Sequence, residues 1–162
     1  MPSPTATTTI LHRQIIQTYQ LLVLAQTNAV LLDETARRYE SGMLEDAGLM
    51  QALIALNAAM MTLDGVALEI SIPALLATDL REALMLSMTC DRILDGWLRG
   101  ELDAAGVMEE MQSVLSRFEA VVLGAEQGLV SGYDFDQAHL SRIRGTTLEM
   151  MMQQVLAMQA ET

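Results

Sequence analysis

The chain has 162 residues, of which 51% are apolar and 19% charged, and its formal net charge is −12. This length allows one domain to bury a core without disulfide bonds or metals, and the lone cysteine, Cys90, excludes an intrachain disulfide and favours a reducing compartment. All nine basic residues are arginine, so the negative field argues against nucleic acid and anionic membrane surfaces, and the absence of lysine excludes Schiff-base chemistry.

The spacing of apolar residues predicts an all-α fold, an antiparallel bundle of about five long helices. The first residues, MPSPTATTT, lack the features of a signal peptide. Residues 1–8 are therefore predicted to be a flexible N-terminal tail, and residues 9–162 a single helical-bundle domain. The predicted helices are Thr8–Tyr39, Leu44–Ile70, Ile72–Arg99, Leu102–Val130 and Phe135–Ala160.

The predicted helix ends follow from glycine and proline. Gly42, Gly100 and Gly132 each follow a long periodic segment, where a left-handed cap favours glycine. The remaining break combines Ser71, whose hydroxyl can cap free N–H groups, with Pro73, which is tolerated in a first turn. Short turns of this kind make consecutive helices antiparallel.

The second predicted helix is the most uniformly apolar. It carries two adjacent seams, Leu49, Leu53, Leu56, Met60, Leu63 and Ala67 on one side and Met50, Ile54, Asn57, Met61, Asp64 and Leu68 on the other. We therefore expect it to be the central element and to form an inner hairpin with the third helix. The run from Ala47 to Leu63 has no charge, which is marginal for a membrane span, and a buried helix in a soluble cytoplasmic protein explains it better.

The third and fourth predicted helices each have a clear apolar face. The face of the third helix comprises Leu76, Leu80, Ala83, Ser87, Cys90, Leu94 and Trp97. The fourth helix repeats apolar residues in steps of four and three, at Val107, Met111, Val114, Phe118, Val121 and Ala125. Glu126 is assigned to the polar remainder of the fourth helix. Both patterns are typical of amphipathic bundle helices.

The thirteen methionines are the most unusual feature of the composition. Met85 and Met88 share one helix face, and Met150, Met151 and Met152 are consecutive. Methionine fills irregular cores, but it also lines adaptable grooves that take up peptides, and these five residues are the predicted partner-binding set. With Cys90 nearby, monovalent copper is a third interpretation, although we predict no metal site and no cofactor.

Asn57 and Asp64 lie seven residues apart on an apolar stripe of the second helix, so they are a candidate interior polar site. A hydrogen bond that fixes helix register, or an exposed edge of the seam, is the simpler explanation. The Asp136–His139 spacing indicates a surface pair or a helix start and not a metal site, because a second such motif is missing.

No nucleophile, phosphate loop or catalytic set stands out, so the predicted function is non-enzymatic binding of a partner protein, as an adaptor, assembly factor or dedicated chaperone. An apolar methionine-rich groove with an acidic rim would take up an amphipathic or basic segment. In composition alone the chain is similar to bacterial secretion chaperones. The apolar excess also predicts a homo-oligomer, namely a dimer. We expect no binding to nucleic acid and no insertion into a membrane. The alternatives are a small-molecule or soft-metal-binding bundle and a structural homo-oligomer subunit.

Overall fold

A computed structural model describes the backbone of residues 4–69 and 73–160, and the side chains of residues 11–67, 73 and 75–153. Within these ranges the chain forms five α-helices and no β-strand, which confirms the predicted all-α bundle. The helices are α1 (Pro4–Glu40), α2 (Asp46–Glu69), α3 (Ala77–Leu98), α4 (Ala104–Tyr133) and α5 (Gln137–Ala160), with a 3-10 turn at Ala74–Leu76 before α3. Because α1 begins at Pro4, residues 4–8, which were predicted to be a tail, are helical.

Two of the three predicted glycine caps are confirmed. Gly42 has a φ of 81° and Gly100 a φ of 76°. Glycine adopts this left-handed backbone conformation without strain because it has no Cβ. The prediction for Gly132 is wrong, since α4 continues to Tyr133 and Asp134 takes the left-handed cap with a φ of 56°. Aspartate tolerates this conformation better than most residues. The predicted cap at Ser71 lies outside the described residues.

The central element is α1, which contacts all four other helices. Three consecutive residues, Leu21, Leu22 and Val23, are buried, so neighbours cover most of its circumference. The prediction that α2 is central and forms an inner hairpin with α3 is therefore wrong. The amino-acid pattern concealed this role, because α1 contains several threonines within its apolar positions.

The buried threonines of α1 satisfy their own hydrogen bonds. Thr18, Thr27 and Thr35 each donate a hydroxyl hydrogen bond to the carbonyl four residues earlier, at 2.9, 2.8 and 2.7 Å. Once its hydroxyl is bonded in this way, a threonine presents mainly its methyl group to the surroundings. These three threonines therefore do not prevent α1 from occupying the centre.

The core confirms the apolar faces predicted for α3 and α4. All six α4 residues of the four-and-three pattern are buried, and on α3 every residue of the predicted face except the half-buried Trp97 is buried. Two contacts place the first half of α1 beside the start of α5. His12 stacks on Phe135 with ring centroids 4.8 Å apart, and the Tyr19 hydroxyl lies 3.1 Å from the Leu140 carbonyl oxygen.

Candidate functional site

The two seams of α2 have opposite environments. The inner seam packs on the core, with Leu53, Leu56, Met60 and Leu63 buried. The adjacent residues Met50, Ile54, Asn57, Met61 and Asp64 are all exposed, and we call them the outer seam. Successive helix residues are about 100° apart, so Leu53 at 3% exposure and Ile54 at 60% mark the boundary between the two seams.

The exposure of α2 is unusual for so apolar a helix. By length and composition alone, Leu11–Glu40 and Asp46–Ala67 are both apolar enough to cross a membrane, a test that the core helix of a soluble protein also passes. In the most apolar 18-residue window of each, 67% of α1 is buried but only 28% of α2. The helix with an uncharged run of 17 residues, from Ala47 to Leu63, is therefore the one left largely uncovered.

The predicted interior polar site does not exist as an interior site. Asn57 and Asp64 are both exposed, so the interior interpretation is wrong and the alternative of an exposed seam edge agrees with the structure. The Asn57 amide nitrogen lies 3.8 Å from the Met61 sulfur, which is a contact along the helix surface. Asp91 on α3 has a raised pKa, mainly because of burial and secondly because of the Asp64 charge, so the end of the outer seam lies close to α3.

The five methionines predicted to bind a partner lie on two separate helices. Met85 and Met88 are exposed on α3, and Met150 is exposed on α5. Met151 and Met152 are half-buried against the core. Met150 and Met151 help to line a cleft of about 260 Å³ together with Gln20, Leu24 and Thr147, and this lining does not include Met85 or Met88. Partner binding by these methionines stays a prediction.

The soft-metal interpretation required Cys90 to lie beside Met85 and Met88. Cys90 is buried in the core, whereas both methionines are exposed, so the three sulfur atoms do not share a site. Burial, with a smaller contribution from Asp91, raises the pKa of the Cys90 thiol to about 12. A thiol that stays protonated is a poor metal ligand and a poor nucleophile. Among the described residues, no three His, Cys, Asp or Glu side chains are grouped to hold a metal.

A buried polar network joins α1, α4 and α5, and the amino-acid pattern did not predict it. Glu126 on α4 was assigned to the polar face, but it is 1% exposed. Its Oε1 accepts a hydrogen bond of 2.5 Å from the Tyr19 hydroxyl and lies 3.4 Å from the Arg144 Nε, while its Oε2 accepts one of 3.3 Å from the Gln137 amide. A signal was present, since Glu126 falls four residues after Val122 and three before Leu129 on one apolar face.

The network holds the Tyr19 hydroxyl in its protonated form. Burial raises the pKa of Tyr19 far above its ordinary value of 10.0, and the hydrogen bond to the Glu126 carboxylate raises it further. A phenolate beside a buried carboxylate would place two negative charges in a weakly solvated site. Tyr19 therefore acts as a permanent donor that helps to solvate Glu126.

A cleft of about 460 Å³ lies between α1, α4 and α5, next to the network. Arg144 belongs to both, because it pairs with Glu126 and also lines the cleft. The other lining residues are Gln26, Thr27, Val30, Leu115, Glu119, Ser141, Gly145 and Leu148.

Comparison with models of protein families, with curated proteins and with solved structures gives no match.

Proposed function

We propose that the chain is a non-enzymatic protein-binding bundle whose outer seam on α2 holds an amphipathic helix from a partner with basic residues. The observation that carries this proposal is the exposure of α2, which is as apolar as the central helix but less than half as buried. Large exposed apolar surfaces commonly mark interaction sites.

The apolar residues of the outer seam offer a useful binding free energy. Full burial of one Met or Ile side chain contributes about 1.5–3 kcal/mol. Because Met50, Ile54 and Met61 are each exposed by more than half, covering all three gives roughly 3–5 kcal/mol before the entropic cost of association. The side chains that flank them would add to this value.

The length of the seam suits a helical partner. Met50 to Asp64 covers about 21 Å of helix axis, which corresponds to about four turns of a second helix. The spacing of Met50, Ile54, Asn57 and Met61 alternates steps of four and three, as in helices that pack side by side. Methionine side chains can also adjust to partners of different shape.

The charge of the chain favours a basic partner. Asp46 lies at the start of α2 and Asp64 at the end of the outer seam, while the surface between them is uncharged. With a net charge of −12, the whole protein attracts cationic segments and repels acidic ones. The apolar seam would then determine where such a segment binds.

The test uses a fluorescent 18-residue peptide with leucines on one helical face and lysines elsewhere, together with a scrambled peptide of the same composition. Fluorescence anisotropy should show that the ordered peptide binds more tightly than the scrambled one. The variant Ile54→Asp should weaken binding by about tenfold, since a charge now faces the apolar side of the peptide. Leu123→Asp, which adds the same charge at an exposed position of α4, is the matched control.

The added aspartate separates the two possible causes of binding, because electrostatic attraction alone predicts that a more acidic variant binds the basic peptide more tightly. If charge alone binds the peptide, both variants should bind slightly more tightly than the wild type, and the scrambled peptide should bind as well as the ordered one. Either result would contradict the proposal. A second copy of the chain could occupy the seam instead, and sedimentation velocity tests this alternative. If the wild type is a dimer, Ile54→Asp dissociates it, and the peptide does not bind, then the seam is a homodimer interface.

A further inference from the structure

The cleft between α1, α4 and α5 is a second surface with its own chemistry. Its volume of about 460 Å³ falls within the range of roughly 300–1,000 Å³ typical of small-molecule sites. None of its lining residues belongs to α2, so it does not depend on the function proposed for the outer seam.

The cleft has one apolar side and one polar end. Val30, Leu115 and Leu148 supply the apolar contacts. The Thr27 hydroxyl already donates to the Val23 carbonyl oxygen at 2.8 Å, so it has no proton left for a ligand. Ser141 instead accepts a hydrogen bond of 3.3 Å from Gln137, which leaves its own hydroxyl proton available.

Arg144 is held in position at the polar end. Its Nε lies 3.4 Å from Glu126, and that buried carboxylate is itself fixed by Tyr19 and Gln137. The Arg144 side chain is 32% exposed, and among the described residues no protein atom accepts a hydrogen bond from its terminal nitrogens. A fixed, partly desolvated guanidinium with free N–H groups is well matched to a planar carboxylate.

We propose that this cleft binds a small molecule that carries one carboxylate and an apolar chain or ring. The carboxylate accepts hydrogen bonds from Arg144 and Ser141, and the apolar part lies against Val30, Leu115 and Leu148. Glu119 stands exposed among the lining residues and disfavours a second negative charge, so the ligand is a monoanion.

Gly145 provides a way to close the cleft without changing the network. It is one of the lining residues, and a Cβ added there meets no atom within 4 Å. A leucine side chain can therefore extend into the open volume. Alanine at the same position removes the glycine but fills little of the space, which makes it the matched control.

The experiment is a calorimetric titration with octanoate, octan-1-ol and octylammonium, which share an apolar chain and differ in charge. Octanoate should bind at least about tenfold more tightly than octan-1-ol, as expected for hydrogen bonds to a charged group. Gly145→Leu should abolish octanoate binding, and Gly145→Ala should preserve it. Ile54→Asp on α2 should leave octanoate binding unchanged. The test of the cleft is therefore independent of the test of peptide binding at the outer seam.

Arg144→Met should reduce octanoate affinity by at least about tenfold. Because this change also leaves Glu126 without its cation, circular dichroism must first show that the variant is folded, and Gly145→Leu carries the test if it is not. Three results would overturn the proposal: no saturable octanoate binding in the millimolar range, equal or tighter binding of octan-1-ol or octylammonium, or unchanged octanoate affinity in Gly145→Leu.

Discussion

The helices α1 and α2 have similar apolar character but opposite positions in the bundle. α1 lies at the centre although it carries buried threonines and Tyr19, whereas α2 lies at the side although its middle has no charge. The threonines and Tyr19 can be buried because their hydroxyl groups are hydrogen-bonded, so the number of apolar residues alone does not decide the depth of a helix. The packing of the core does not account for the apolar residues that α2 leaves exposed, which is why we propose that they bind a partner.

The largest expected effect comes from comparing two neighbouring residues that belong to different seams of α2. Leu53→Asp places an unpaired charge at a site that is 3% exposed, and should cost about 4 kcal/mol or more, a large part of the stability of a domain. Ile54→Asp, one residue later at 60% exposure, should change the free energy of unfolding by less than about 0.5 kcal/mol. Urea denaturation followed by circular dichroism measures both. Equal losses in the two variants would contradict the division into inner and outer seams.

The next effect concerns the polar groups that α1 buries. Tyr19→Phe removes the hydroxyl that donates to Glu126, and should lower the free energy of unfolding by about 1–3 kcal/mol because a buried carboxylate loses a partner. Tyr133→Phe, at an exposed tyrosine of α4, should change it by less than about 0.5 kcal/mol. A Tyr19→Phe variant as stable as the wild type would show that the network adds nothing to the core.

The same hydroxyl predicts a pH dependence. Because the pKa of Tyr19 is raised in the folded state, its stabilising contribution is complete below the unfolded value of about 10 and is lost as the pH rises above it. The loss approaches about 1.4 kcal/mol per pH unit for this one proton. Urea denaturation between pH 9 and about pH 11 should therefore show a steeper decline in the wild type than in Tyr19→Phe. Identical slopes would place the Tyr19 hydroxyl in contact with solvent.

The smallest expected effect sharpens the comparison at the surface of α2. Gly65→Ala should raise the free energy of unfolding by about 0.5–1 kcal/mol, since alanine favours the helix and its Cβ meets no atom within 4 Å. Gly106→Ala on α4 is the contrast, because its Cβ would lie 3.2 Å from the Asp103 carboxylate oxygen that caps the helix. That variant should gain less or lose stability. Equal gains at both positions would show that the contact near Gly106 relaxes without cost.

The amino-acid pattern predicted what depends on a single helix and missed what depends on several. The four-and-three spacing of α4 identified its buried face, because neighbours along one helix share a side. The spacing could not show which of the two seams of α2 is buried, because this depends on how α2 packs against α1, α3 and α5.

The candidate sites show the same limit. Burial of Glu126 depends on Tyr19, which is 107 residues away in the chain, and on Arg144 from a third helix. The cleft of about 460 Å³ is likewise formed by α1, α4 and α5 together. The predicted methionines were correctly placed on helices, but the structure, and not their spacing, separates those on α3 from those on α5.

Hydrogen–deuterium exchange in the presence and absence of the ordered Leu/Lys peptide tests the role of the outer seam most directly. Docking along α2 should slow amide exchange between Met50 and Asp64, while α4 exchanges as in the free protein. Protection confined to α4 and α5, or no protection at a peptide concentration that saturates the anisotropy signal, would contradict the proposal that the exposed apolar face of α2 is the binding surface.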